Sequence, residues 1–149
     1  MKTSKKTAFT MIELIFVIVI LGVLSAIAIP KFTSVQRSSM IAKAKADIAT
    51  IRSAIVSERQ TQLIKGVRDW IPKLSDSNTT LFTGDGDRKL LMYGIKSGTT
   101  SGKWSRGTTT ATIDTYIFKI DSSSNKFDYN NTSGTFMCTS GNECTELTD

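Results

Sequence analysis

The chain has 149 residues, 40% of them hydrophobic and 21% charged, which suits one modest domain with an appendage and argues against wholesale disorder or a large multi-domain enzyme. It contains no histidine, which removes the commonest general base and metal ligand and, with it, Ser-His-Asp and Cys-His catalysis. The net charge of +6 is unevenly placed: residues 1–69 carry 11 Lys or Arg against 4 acids and residues 70–149 carry 8 against 9, so the basic excess reads as membrane topology rather than as a nucleic-acid footprint.

The first predicted element is a helix. Residues 14–29 read LIFVIVILGVLSAIAI, sixteen positions without a charge, and residues 9–12 lengthen the apolar run at its front. A helix over the 21 residues 9–29 rises about 31 Å, enough to cross a bilayer core of about 30 Å. Backbone groups in lipid must bond within the segment, so helix is its expected state despite the many β-branched side chains. Lys2, Lys5 and Lys6 precede it and no acid comes before Glu13, which keeps the N-terminus cytoplasmic and exports the rest. A secretory signal cut after Ala28, at Ala26-Ile27-Ala28, is the competing reading, as is a plain uncleaved anchor. Neither accounts for Glu13, because an ionisable group inside a span costs about 2.5 to 3.5 kcal/mol at its centre, less near its end, and signals a partner.

A cut between Ala8 and Phe9 would remove the three leader lysines and create an α-amino group four residues before Glu13. The amine of one subunit then meets the carboxylate of a neighbour when the apolar helices pack side by side, offsetting the burial of either charge and fixing the axial register. The run Lys5-Lys6-Thr7-Ala8-Phe9-Thr10-Met11-Ile12-Glu13-Leu14 resembles the prepilin-type cleavage and methylation motif of type IV pilins and type II secretion pseudopilins. The resemblance covers about the first thirty residues. It implies a leader peptide over 1–8, cleavage before Phe9 by a prepilin peptidase, N-methylation of Phe9, and assembly of the mature subunit into a helical filament. It makes Glu13 the assembly carboxylate and places Gly22 and Pro30 where many pilins soften the helix. Family members usually carry Gly immediately before the cut; this chain has Ala8.

The implied fold is α+β and pilin-like: a long N-terminal helix whose first half spans the membrane and whose amphipathic second half packs on a small antiparallel sheet. Residues 9–30 form the transmembrane and filament-core helix, 31–66 the stem and 67–149 the exported β-rich domain. Pro30 cannot donate to the carbonyl of Ala26, so the helix either bends there or ends. Beyond it Ile41, Ala44, Ile48, Ile51 and Ile55 recur at spacings of three and four, the signature of one buried helical stripe. Leu63, Ile64 and Val67 extend that stripe, and Gly66 is the expected terminator.

Past residue 67 the composition shifts to Thr, Ser, Gly, Asn and Asp. Residues 89–95 and 111–121 are the predicted strands, the latter with Ile113, Thr115 and Ile117 on one side and Tyr116, Phe118 and Ile120 on the other. Residues 126–130 pair with it through a loop at Ser122-Ser123-Ser124-Asn125, and 135–138 add a short strand. Residues 97–107 are predicted as a loop in which Trp104 anchors the core. Cys138 and Cys144 enclose five residues, and a disulfide between them fits an exported domain and would contribute about 2 kcal/mol.

Asp85 and Asp87, in Gly84-Asp85-Gly86-Asp87, are weak calcium candidates, since solvated Asp-Gly turns are far commoner than metal loops. No other cofactor is expected, and no nucleotide fingerprint or catalytic acid pair appears. The expected function is structural. The resemblance implies as partners other pilin or pseudopilin subunits, the prepilin peptidase, an assembly ATPase and an inner-membrane platform, with membrane lipid around the single-pass precursor before assembly. A DNA-uptake (competence) or minor tip pilin, whose exported domain grips a ligand, is the alternative.

Overall fold

The computed structural model describes residues 9–148. They form α1 (Met11–Ile64), β1 (Thr80–Leu81), β2 (Gly84–Asp85), β3 (Arg88–Lys89), β4 (Ile95–Lys96), β5 (Trp104–Thr109), β6 (Ile113–Ile120), β7 (Ser123–Asn130), β8 (Thr135–Ser140) and α2 (Cys144–Thr148). The chain divides into two compact units, one ending at Gln36 and the other beginning at Arg37.

In the first unit Pro30 does not end the helix, because α1 runs on through it. The hydroxyls of Thr33 and Ser34 donate to the carbonyls of Ile29 and Lys31 at 3.1 and 2.9 Å, local side-chain bonds of the kind that accompany a loosened turn. Every residue from 9 to 36 is exposed.

The second unit takes its core from the stripe that the spacing predicts: Ile41, Ala44, Ile48, Ile51 and Ile55 are all buried. The stripe does not continue through Leu63, Ile64 and Val67, which are exposed, Ile64 at 89%. Its next members at the same spacing are Glu58 and Gln62, both buried, so the helical period outranks residue type here. Glu58 tolerates burial because Arg88 reaches it with Nε and Nη2 at 2.7 and 2.8 Å; that hydrogen bond also holds the guanidinium pKa above its ordinary value. The helix closes as expected at Gly66, whose φ of +82° suits a residue without Cβ. Val67 N–H donates to Gln62 O and Gly66 N–H to Leu63 O at 2.9 and 3.0 Å, the two bonds of a Schellman terminus.

Against this stripe lies an antiparallel meander in the order β5-β6-β7-β8. The expected pairing of 111–121 with 126–130 is present as β6 and β7, with Ile113 opposite Asn130 and Ile120 opposite Ser123. Tyr116, Phe118 and Ile120 form the buried row of β6, one of the two faces that alternation offered. The hairpin loop is shorter than expected: Ser123 to Asn125 have joined the ladder, leaving Asp121 and Ser122 as the turn, with Asp121 at φ +52°. Residues 104–107 are strand rather than loop, since Trp104 pairs opposite Phe118. The expected strand over 89–95 does not form. Leu90 and Leu91 N–H donate instead to Thr83 and Phe82 carbonyls, both at 3.1 Å, and the segment between β3 and β4 turns outward with Met92 and Tyr93 exposed.

Trp104 is fully buried, as predicted, within a cluster containing Phe82, Tyr116, Phe118, Phe127 and Phe136, with ring centroids 4.5 to 6.2 Å apart. Its indole N–H donates to Asp47 Oδ2 at 2.9 Å, which ties α1 to the sheet through a satisfied polar group. Arg52 adds a second tie, donating to the Phe136 carbonyl at 3.1 Å.

Candidate assembly site

The residues around the expected cut form a small, defined structure at the head of α1. Thr10 occupies the N-cap and Glu13 the third helical position, the Thr-x-x-Glu spacing of a capping box. Glu13 N–H donates to Thr10 Oγ1 at 3.3 Å. In return, Glu13 Oε2 accepts from Thr10 N–H at 2.8 Å and from the Thr10 hydroxyl at 2.7 Å. Two helix-terminal N–H groups are thereby satisfied, and the carboxylate lies at the positive end of the helix. Among the described residues Glu13 Oε1 has no hydrogen-bond partner, so one carboxylate oxygen caps the helix while the other is open to an incoming cation.

This capping pair gives Glu13 a local role beside the intermolecular one expected from the sequence. Thr-x-x-Glu is legible in the sequence as a helix start, and a reading that gives Glu13 only a distant partner passes over it. The box uses nothing before Thr10, so it would survive removal of residues 1–8 intact. Ala8 lies outside the described residues. Phe9 is exposed at the head of the run, and Gly22 and Pro30 both lie inside α1.

The remaining sequence candidates lie in the second unit. Cys138, within β8, is bonded to Cys144, at the start of α2, a helix the sequence reading does not anticipate. The disulfide secures a segment with its own buried anchors: Leu147 reaches the core, and Glu143 exchanges two bonds with Asn125 at 2.9 and 3.1 Å. Arg37 donates to the same Glu143 at 3.0 Å and stands 3.8 Å from both Asp121 and Glu146.

Asp85 and Asp87 sit on the β2–β3 hairpin. Asp85 pairs in the β2–β3 ladder opposite Arg88, while Asp87 is exposed in the turn. Burial, together with the neighbouring Asp76, pushes the Asp85 carboxyl up, and Lys73 and Arg88 act against that rise. Among the described residues no group of three or more Cys, Asp or Glu side chains is placed to hold a metal ion.

The helix is long and apolar enough over its first part to cross a membrane, and its second part backs an antiparallel sheet, an α+β, pilin-like arrangement. Comparison with known proteins agrees. The family model for the prokaryotic N-terminal methylation motif matches residues 3–29. The chain is 28% identical over 103 residues to a fimbrial protein of Pseudomonas aeruginosa and 27% identical over 103 residues to a second fimbrial protein of that organism. Each alignment covers 66% of this chain and 66% of the relative. No solved structure matches the chain significantly. Motif and relatives together support the type IV pilin family, as the residues around Phe9 imply.

Proposed function

We propose that this chain is a non-enzymatic structural subunit of a helical filament, a type IV pilus or a type II secretion-like pseudopilus. Its precursor is a single-pass protein of the bacterial inner membrane with the C-terminal domain outside the cytoplasm. A prepilin peptidase cuts between Ala8 and Phe9, the new Phe9 amine is methylated, and an assembly ATPase with its membrane platform moves the subunit from lipid into the filament.

The observation that carries this reading is the uncovered segment 9–36, headed by a carboxylate with one oxygen unused among the described residues. Water is a poor solvent for such a surface, so lipid or other copies must cover it. Transfer from lipid to a bundle of similar helices brings little net hydrophobic gain, which leaves packing and polar contacts to decide register. The Phe9 amine of one copy, arriving at Glu13 Oε1 of the next, supplies such a contact without dismantling the cap. N-methylation leaves the amine protonated and able to donate.

Intact mass and N-terminal sequencing of purified protein test the processing. The expected product begins at Phe9 and carries one methyl group. A mature protein beginning at Ile29, as secretion after Ala28 would give, overturns the proposal.

A further inference from the structure

Within the second unit, a cleft of about 430 Å³ opens between α1, the segment after it, and the β7–β8 turn; its walls include Arg59, Arg68, Asp69, Trp70, Asn131 and Thr132. Arg59 lies with its guanidinium carbon 4.8 Å from the centre of the Trp70 ring, and its Nη1 is buried without a hydrogen-bond partner. The adjacent carboxylate, Glu58, is committed to Arg88. Among the described residues neither Arg59 nor Arg68 forms an ion pair. Two arginines and one carboxylate, Asp69, therefore line one cleft and leave it a net positive charge, an arrangement suited to a carboxylate or phosphate.

The walls are held in place before any ligand arrives. Arg88 donates to the carbonyls of Trp70 and Asp69 at 3.2 and 3.0 Å. Gly134, at φ +70°, lies so close to Trp70 that a Cβ there would overlap the ring, so the indole is backed by main chain as well as by Arg59. Asn131 spends its amide N–H groups on the carbonyls of Pro72 and Ala111, at 3.2 and 2.9 Å. Among the described residues its Oδ1 is left as an acceptor, and Asp69 and Thr132 line the same cleft. Those groups call for hydroxyl donors on the ligand, and the volume exceeds what a bare inorganic anion fills.

We infer that this cleft binds a hydroxylated organic anion, a sugar carboxylate or sugar phosphate, with its charge on Arg59 and Arg68 and its hydroxyls on Asp69, Asn131 and Thr132. The site is independent of filament assembly and would stand if that reading failed.

The test is calorimetric titration of the full chain, in micelles of an uncharged polyoxyethylene detergent, with glucuronate, glucose 6-phosphate, glucose and inorganic phosphate. Saturable binding of glucuronate, glucose 6-phosphate or both is expected, at least tenfold tighter than that of glucose or inorganic phosphate; the stronger of the two identifies the acid. Arg68→Gln, at an exposed position, should weaken it at least tenfold with the thermal midpoint unchanged; Arg59→Gln, which also removes the contact with Trp70, should weaken it by a similar factor. No saturable binding of either sugar acid, equal binding of glucose or inorganic phosphate, or full affinity in Arg68→Gln overturns the inference. Displacement of the sugar acid by duplex DNA with a steep salt dependence would assign the cleft to nucleic acid and overturn it as well.

Discussion

Residues 9–36 and residues 37–148 solve the problem of apolar surface in opposite ways. In the first, every residue is exposed although most are Ile, Leu, Val, Phe or Ala; in the second, the stripe from Ile41 to Ile55 meets a sheet and is buried. The second region contains its own partners, namely the aromatic cluster, the Asp47–Trp104 bond and the Glu58–Arg88 pair. The first has no such cover among the described residues. A folding unit and the segment proposed for assembly thus share one helix, and substitutions should separate them.

The largest separation is expected from Trp104→Ala. Removing a fully buried indole, with its bond to Asp47, should cost the second unit about 3 to 5 kcal/mol. Chemical denaturation should record that loss while membrane fractionation stays unchanged. Arg88→Met leaves Glu58 buried without its partner and should cost roughly 3 kcal/mol, again measured by denaturation. Cys138→Ser, or reduction of the wild-type chain, should cost about 2 kcal/mol and raise hydrogen exchange first in α2.

The smallest effect has the opposite sign. Asp85 is destabilised as a carboxylate by burial and by Asp76, so its folded pKa is raised and its cost is present at neutral pH. Asp85→Asn should therefore stabilise at pH 7 by less than about 1 kcal/mol. The gain should shrink as pH falls through the raised folded value, and vanish below the unfolded one. Thermal midpoints of both proteins across pH 3 to 7 would show this.

The two regions also differ in how far the sequence discloses them. The apolar run and the stem stripe from Ile41 to Ile55 are legible because period and hydrophobicity agree over many turns. The stripe's continuation through Glu58 is legible only by period; its residue type makes sense once Arg88, thirty residues on, is seen beside it. Strands β1 to β4 are two residues each, too short to leave an alternation in the sequence, and are held by long-range bonds such as Ser97 N–H to Thr79 O at 2.9 Å. For the same reason 89–95 looks like a strand and is not one. At the candidate assembly site Glu13 stands out as a charge in an apolar run, whereas its bond to Thr10 follows from the Thr-x-x-Glu spacing and is a purely local matter.

That double role of Glu13 offers the most direct test of the assembly proposal. Glutamine at the third helical position can keep a capping box but carries no charge, so Glu13→Gln separates the helix cap from the amine partner. The quantity to measure is the fraction of processed, membrane-inserted subunit that enters filaments, wild type against Glu13→Gln, with normal insertion as the control. The account predicts normal insertion and a loss of incorporation of at least tenfold; incorporation at the wild-type level would contradict it.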